Sequence, residues 1–459
     1  MKNDQQHIVA VFGAGVAGSE AAIQFARQGI PVVVFEKNAL PYGKIEEGLP
    51  KWHIKLRDQE EAKIDSKLNH DLIYFVPKVT LGKDLSVAEV LEWGFSAVLL
   101  AIGAWRDRPL PIADIDRFVG KGLYYQNPFV EWFNHNHEKD YKGPHCHVED
   151  NAIVIGGGLA SLDVVKILML ETVLTALQKK GIDVDLFTLE RLGIAQVLQD
   201  RGLNLKEIGV KGCTMFYRRG LQEMPLSPLP EGASPERIEK VFQIRERIFR
   251  NYQEKYLFQF LPHAVPVDKI VEGGRLAGLV FGRTKYVRGK LQLQEGSEFQ
   301  VKTPLVISSI GSIPEPVAGI DPEGELLPVE DPLSGRIKSF DNLYAVGNAV
   351  TGRGNIRESL IHGRQISHRV MEDLLEEDAT VEYQALIESQ EEESSAQVKN
   401  IQKQMQTRPS PGEDTIRNIL QRVREFWGKV GYDGNYEKWI RGHMPIRLEQ
   451  ILGYTETDE

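Results

Sequence analysis

Two glycine turns, each set between an apolar strand pattern and a helical one, constrain this chain more than any other feature. The first, Gly13-Ala14-Gly15-Val16-Ala17-Gly18, follows the compact run HIVAVF at residues 7–12. A helical pattern over residues 19–27 closes at Gly29, and PVVVF at 31–35 reads as a second buried strand. This βαβ opening predicts a parallel, doubly wound sheet. In GxGxxG, Gly13 permits the tight turn, Gly15 lets backbone approach a pyrophosphate, and Gly18 allows helix and strand to pack closely. The helix N-terminus supplies unpaired N–H groups and the positive end of a dipole. Glu36 ends the second strand, 21 residues after Gly15, where a carboxylate accepts hydrogen bonds from ribose hydroxyls and repels a 2′-phosphate. The first turn therefore suits FAD or NAD rather than NADP.

The second turn, Gly156-Gly157-Gly158-Leu159-Ala160-Ser161, begins 143 positions after Gly13 and follows the strand pattern AIVI at 152–155. Ser161 takes the place of the third glycine and is expected to widen the helix–strand contact slightly. The strand expected at 214–217 ends not in an acid but in Arg218-Arg219-Gly220. Guanidinium groups are planar, permanently charged donors matched to phosphate oxygens. The second turn with this pair points to NADP(H). One chain thus carries two nucleotide turns of opposite electrostatic preference, the layout of a flavoprotein whose FAD collects hydride from NADPH. Two further buried strands that end at glycine, 98–104 and 342–348, suit flavin contacts.

Composition narrows the alternatives. With 459 residues, two or three domains are expected, and 42 % apolar with 26 % charged residues is an ordinary globular mixture. Cys146 and Cys213 form no CxxC pair, so zinc ribbons, Cys-ligated iron–sulfur clusters and a vicinal redox disulfide are excluded, and no metal ligands are assigned. The formal charge of −10 argues against nucleic-acid binding. No run approaches the roughly 20 apolar residues of a membrane span, and the polar start points to a cytoplasmic protein. Charge is unevenly spread: Lys and Arg outnumber acids 11 to 7 over residues 201–260, whereas 372–393 holds ten acids and no Lys or Arg. Residues 378–414 read as exposed helix plus linker, with a breaker cluster at 407–412 and a helical apolar spacing at 416–427. Residues 439–454 are expected to pack back on the body. The tail reads as a structural cap or a partner-docking element.

Beyond the glycine turns, several segments carry a family resemblance. They are Pro41 to His53 (PYGKIEEGLPKWH), Val79 to Asp84 (VTLGKD), Phe129 to Asn134 (FVEWFN), Leu162 to Leu168 (LDVVKIL) and Val306 to Gly311 (VISSIG). Over roughly residues 7–375 the chain resembles NADPH–ferredoxin reductases of the adrenodoxin-reductase type and, more distantly, the small subunit of bacterial glutamate synthase. The resemblance implies an NADP domain inserted into a discontinuous FAD domain. The segments would be 1–109 (FAD), 110–335 (NADP), 336–377 (FAD again) and a helical extension at 378–459. It implies FAD contacts at Ala17, Glu36, Lys44 and Leu81 and along the segment from Gly347 and Asn348 through Asn355, Ile356 and Arg357. NADP contacts are implied at Gly156, Gly157, Gly158, Leu159, Arg218 and Arg219. His53 matches a histidine close to the flavin, and Asp163 an acid at the start of the NADP-domain helix; the pair is expected to handle protons and orient the reactants. Gly347-Asn348 stands where the family has Gly-Trp and is closer to the Gly-Asp of disulfide-reductase flavoproteins.

The reading is an NADPH-dependent FAD reductase serving a ferredoxin-like iron–sulfur carrier. Arg237, Lys240, Arg245, Arg247 and Arg250 offer a local basic face for an acidic carrier. The alternatives are electron input to a partner synthase, direct reduction of a small organic substrate, or a nucleotide-binding sensor. Oligomeric state is left open.

Overall fold

A computed structural model describes residues 7–227, 229, 232–331, 334–351 and 380–454. Asn355, Ile356 and Arg357 lie outside the described residues.

The apolar runs flanking the first turn become strands β1 (Val9–Phe12) and β2 (Val32–Glu36). With β3 (Ile73–Pro77), β4 (Ala97–Leu100) and β16 (Leu343–Ala345) they form a parallel sheet ordered β16-β4-β1-β2-β3. Every residue of β1, β2 and β4 is buried, because both faces of the sheet are covered. Val9, Val11, Val32 and Val34 face α1 (Val16–Ala26) and α3 (Ile54–Leu68), packing on Ala22, Phe25, Leu56 and Ile64. Ala10, Phe12, Val33 and Phe35 face the other side and meet Val87 and Val90 of α4 (Val87–Glu92). Strand β16 runs into the short helix α10 (Asn348–Thr351).

The second turn opens a second parallel sheet. It contains β6 (Leu123–Tyr125), β7 (Ile153–Gly156), β8 (Thr214–Phe216), β9 (Gln259–Leu261) and β14 (Val306–Ser309), ordered β6-β14-β7-β8-β9. One face packs on α5 (Gln126–His135), α6 (Leu159–Lys179), α7 (Leu186–Leu192), α8 (Ile194–Gln199) and α9 (Pro235–Tyr256). The other face is covered by an antiparallel sheet rather than helices: β10 (Ala264–Glu272), β11 (Arg275–Val287), β12 (Lys290–Leu293) and β13 (Phe299–Lys302). Phe281 of β11 stacks on Phe216 of β8, with centroids 4.1 Å apart. The chain passes between the sheets through β5 (Arg106–Asp107) and β15 (Ser312–Ile313), which pair antiparallel. Val317, Ile320 and Leu327 already pack on the first sheet, upstream of the return expected near Gly335.

The first helix of the tail departs from its sequence reading as exposed, whereas the later segments pack back on the body as expected. Helix α11 (Thr380–Met405) is not a solvated acidic rod. It buries Ile387, Ser394, Gln397, Val398, Ile401 and Met405, and Gln402 hydrogen-bonds Gln28 just beyond the end of α1. Beyond the breaker cluster, α12 (Glu413–Val430) lays Ile419 and Val423 on the β1–β2 face, and Trp427 donates to the Phe75 carbonyl at 2.8 Å. Helix α13 (Tyr436–His443) puts Trp439 Nε1 on the Ala39 carbonyl at 2.8 Å. Before α14 (Leu448–Leu452), the buried Arg447 pairs with Glu46 and Glu61 at 2.5 and 2.8 Å. The tail is thus pinned to the first domain by hydrogen bonds and ion pairs as well as apolar contact.

Candidate active site and dinucleotide cradles

The first turn is held from both sides. Gly13 N–H donates to the Phe35 carbonyl at 2.8 Å, and Ala14 N–H donates to Glu36 Oε2 at 2.8 Å. Glu36 also accepts Asn38 N–H at 2.9 Å. Burial pushes the Glu36 carboxyl above its ordinary value, while these N–H groups and the Lys37 charge work against that rise. A carboxylate oxygen accepts more than one bond, so ribose hydroxyls can still share it. Gly13 has φ +97°, and a Cβ there would lie 2.4 Å from the Ala101 carbonyl oxygen. A Cβ on Gly18 would meet the Gly13 carbonyl oxygen at 1.8 Å. Gly15 differs: its Cβ direction reaches only backbone of Gly43, Tyr42 and Pro41, at 3.9–4.0 Å.

The other residues of the first set gather around this turn. Gly347, at φ +63°, lies against Ala17, whose Cβ would be 2.7 Å from a Gly347 side chain. Asn348 begins α10, and its buried Oδ1 has no hydrogen-bond partner among the described residues. Lys44 begins α2 (Lys44–Glu47); its Nζ donates to Asn127 Oδ1 at 3.3 Å and lies 5.5 Å from the Trp105 ring. Burial lowers the Lys44 pKa to about 8, and the Asp107 charge opposes the fall. Leu81 follows Val79, whose N–H binds the Glu36 carbonyl at 2.9 Å. These residues fit a dinucleotide: backbone room at Gly15, a carboxylate for ribose, a cation for phosphate and an orphaned amide oxygen.

The second cradle is built differently. Ser161 Oγ bonds Ser309 O and Oγ at 3.0 and 2.9 Å and accepts Gly158 N–H at 3.3 Å. The hydroxyl expected to widen the contact between α6 and the sheet instead ties the two together. Gly157 is required because the Tyr217 ring lies on it; a Cβ would be 2.2 Å from that ring. A Cβ on Gly158 would meet nothing within 4 Å, which leaves room for phosphate where α6 begins with Leu159. Beyond β8, Thr284 Oγ1 donates to the Arg218 carbonyl at 2.6 Å, and Gly220 N–H donates to Glu223 at 2.9 Å. The backbone of the arginine pair is thereby fixed. Arg218 is exposed, and the buried Arg219 Nε has no hydrogen-bond partner among the described residues, a donor suited to an anion.

His53 precedes α3 and Asp163 lies in α6, both almost fully buried. A residue that the sequence reading missed joins them: Tyr383 of α11 donates its hydroxyl to Asp163 Oδ2 and sets its ring 5.4 Å from that of His53. Alongside, Lys166 pairs with Glu190 and lies 4.2 Å from the Trp52 ring. Asn127 was missed as well. Its Nδ2 donates to the Trp105 carbonyl at 2.8 Å and to Ser312 Oγ at 3.0 Å, bracing both chain crossings beside Lys44. The expected basic face on α9 is reduced. Arg245 turns inward onto the Ser227 and Gln222 carbonyls, and Arg250 pairs with Glu246 at 2.6 Å.

Residues 7–186 match the family described as pyridine nucleotide-disulphide oxidoreductase. The NADPH-Fe(3+) oxidoreductase subunit beta of Geobacter sulfurreducens is 27 % identical over 319 residues, 67 % of this chain and 37 % of that protein. The chain thus spans little more than a third of that relative's length. NADPH-ferredoxin reductase FprA of Mycobacterium leprae is 23 % identical over 380 residues, 76 % of this chain and 79 % of that one. The fold matches that of Mycobacterium tuberculosis FprA in complex with NADPH, with a TM-score of 0.66 at 18 % identity over 92 % of this chain and 91 % of the other. Among the described residues, no helix is long and apolar enough to cross a membrane. Over residues 7–186 the chain is thus similar to the pyridine nucleotide-disulphide oxidoreductases, and its fold is that of FprA.

Proposed function

We propose that the chain takes hydride from NADPH onto FAD and passes the electrons to a ferredoxin-like iron–sulfur carrier. One observation supports this reading: the strand after the Gly15 turn ends in the Glu36 carboxylate, whereas β8, which follows the Gly158 turn, leads into Arg218 and Arg219. A bound flavin supplies the conversion of a two-electron hydride into single electrons. The chain's residues then have separable tasks. Glu36, Lys44 and Asn348 bind and orient one nucleotide; Gly158 and the arginine pair bind the other. His53 and Asp163 meet at Tyr383, where elements of both sheets converge, and hold protons beside the reacting rings. Hydride transfer between stacked rings needs no side-chain base, so positioning dominates.

The test is anaerobic. After reduction by one equivalent of NADPH, adding ferredoxins of the same host is expected to restore the oxidised flavin spectrum within seconds for at least one of them. A second reading, electron input to a larger partner enzyme, is favoured by the length of the Geobacter relative, itself a subunit and far longer than this match. Reoxidation by no ferredoxin, together with stable copurification of a large partner, would replace the first reading with the second.

A further inference from the structure

We infer that Tyr383 is a positioning residue of the candidate active site: its hydroxyl holds the Asp163 carboxylate and its ring backs His53, so that α11 forms a third wall where the two cradles meet. This rests on the proposed function. The geometry depends on the tail of this chain. Helix α11 contributes no strand or glycine turn, yet it is fastened to both domains around Tyr383. Next to it, the buried Glu382 lies by Ser227 and Arg245 of the second domain. Further along, Gln397 Oε1 accepts the Gly347 N–H at 3.0 Å, at the end of β16 in the first. Lys67 of α3 meets Glu391 at 2.5 Å, and Tyr344 donates to Gln404 at 3.0 Å. A helix tied at these points fixes where the tyrosine stands.

The chemistry follows from the partners. A hydroxyl that donates to a carboxylate favours its ionised form. The phenol itself stays protonated, because burial and the adjacent Asp163 charge push its pKa well above the ordinary value. The titratable groups that meet it are His53 ahead of α3, Asp163 on α6 and Tyr252 on α9, with Glu382 adjacent on α11; Lys166, paired with Glu190, lies beyond over the Tyr252 ring. Lys166 is paired with Glu190, and Tyr383 donates to Asp163 Oδ2.

The experiment uses the flavin-loaded protein and Tyr383→Phe, which keeps the ring and removes the hydroxyl. The expected result is unchanged flavin content and an acid limb of the pH profile for NADPH-driven flavin reduction moved upward by about one unit. Between the wild-type limb and the shifted one, the flavin midpoint potential of the variant, read without turnover, is more positive than wild type because a neutral carboxyl replaces a carboxylate. Asp163→Asn removes the limb, and adding Tyr383→Phe then shifts nothing further. A wild-type limb and potential in Tyr383→Phe overturn the inference. So does loss of flavin or of fold in that variant, which would make the hydroxyl a packing determinant. A wild-type protein that binds no flavin would instead sink the reading on which this rests.

Discussion

Replacing Arg218 and Arg219 together by alanine is expected to raise the KM for NADPH by about 100-fold or more while changing that for NADH less than about threefold. Each charge-assisted bond to a phosphate oxygen contributes roughly 1.5–3 kcal/mol, and two are lost. NADH has no 2′-phosphate and so makes neither. The backbone of the pair is held by Thr284 and Glu223, so side-chain removal leaves the strand end in place. Maximal turnover with saturating NADPH should stay near wild type, because the proposed contact is to the 2′-phosphate, far along the molecule from the reacting carbon. Steady-state reduction of a dye acceptor with both nucleotides checks this. Equal losses with NADPH and NADH would mean that the pair supports the fold rather than selects the nucleotide.

Gly18→Ala is expected to cost about 3 kcal/mol of stability and to yield protein largely without flavin. The added methyl would sit 1.8 Å from the Gly13 carbonyl oxygen and 3.3 Å from Ala101 Cβ, and backbone on that side cannot swing away. Relief requires lifting the start of α1, whose first N–H groups are the proposed phosphate cradle. Gly158→Ala provides the contrast. Nothing lies within 4 Å of its added Cβ, so folding and flavin content should be preserved while NADPH binding weakens by about tenfold or more through contact with the phosphate. Urea unfolding, flavin absorbance per chain and NADPH titration separate the two outcomes.

Much of this was legible because the chemistry is local. A strand that ends at glycine, a helix that starts at the next turn and the residue at the next strand end lie within a few tens of positions, so sequence spacing carries the geometry. The first strands and both turns were read on that basis; Glu36 and the arginine pair were given their nucleotide roles on the same basis, and those roles are proposals. What was not legible depends on distant packing. The ten acids at 372–393 signalled a solvated face, yet the opposite face of α11 is built from Ile387, Ser394, Gln397, Val398 and Ile401, in which serine and glutamine interrupt the apolar stripe. Those polar positions are buried because they meet backbone, as Gln397 meets Gly347. Tyr383 could be found only once α11 was placed across both domains. Asn127 gave no signal, since its four partners come from three separated segments. The basic face on α9 was overestimated for a related reason: charge counting does not reveal which arginine turns inward, and Arg245 does.

The claim that the two cradles differ in charge so as to recruit different nucleotides is tested most directly by anaerobic stopped-flow reduction of the protein as purified. The account predicts a bound flavin released as FAD on denaturation, one per chain, whose absorbance is bleached by NADPH at least about tenfold faster than by NADH at equal low concentration. A protein that remains colourless after incubation with FAD, or one reduced equally by both nucleotides, would contradict it.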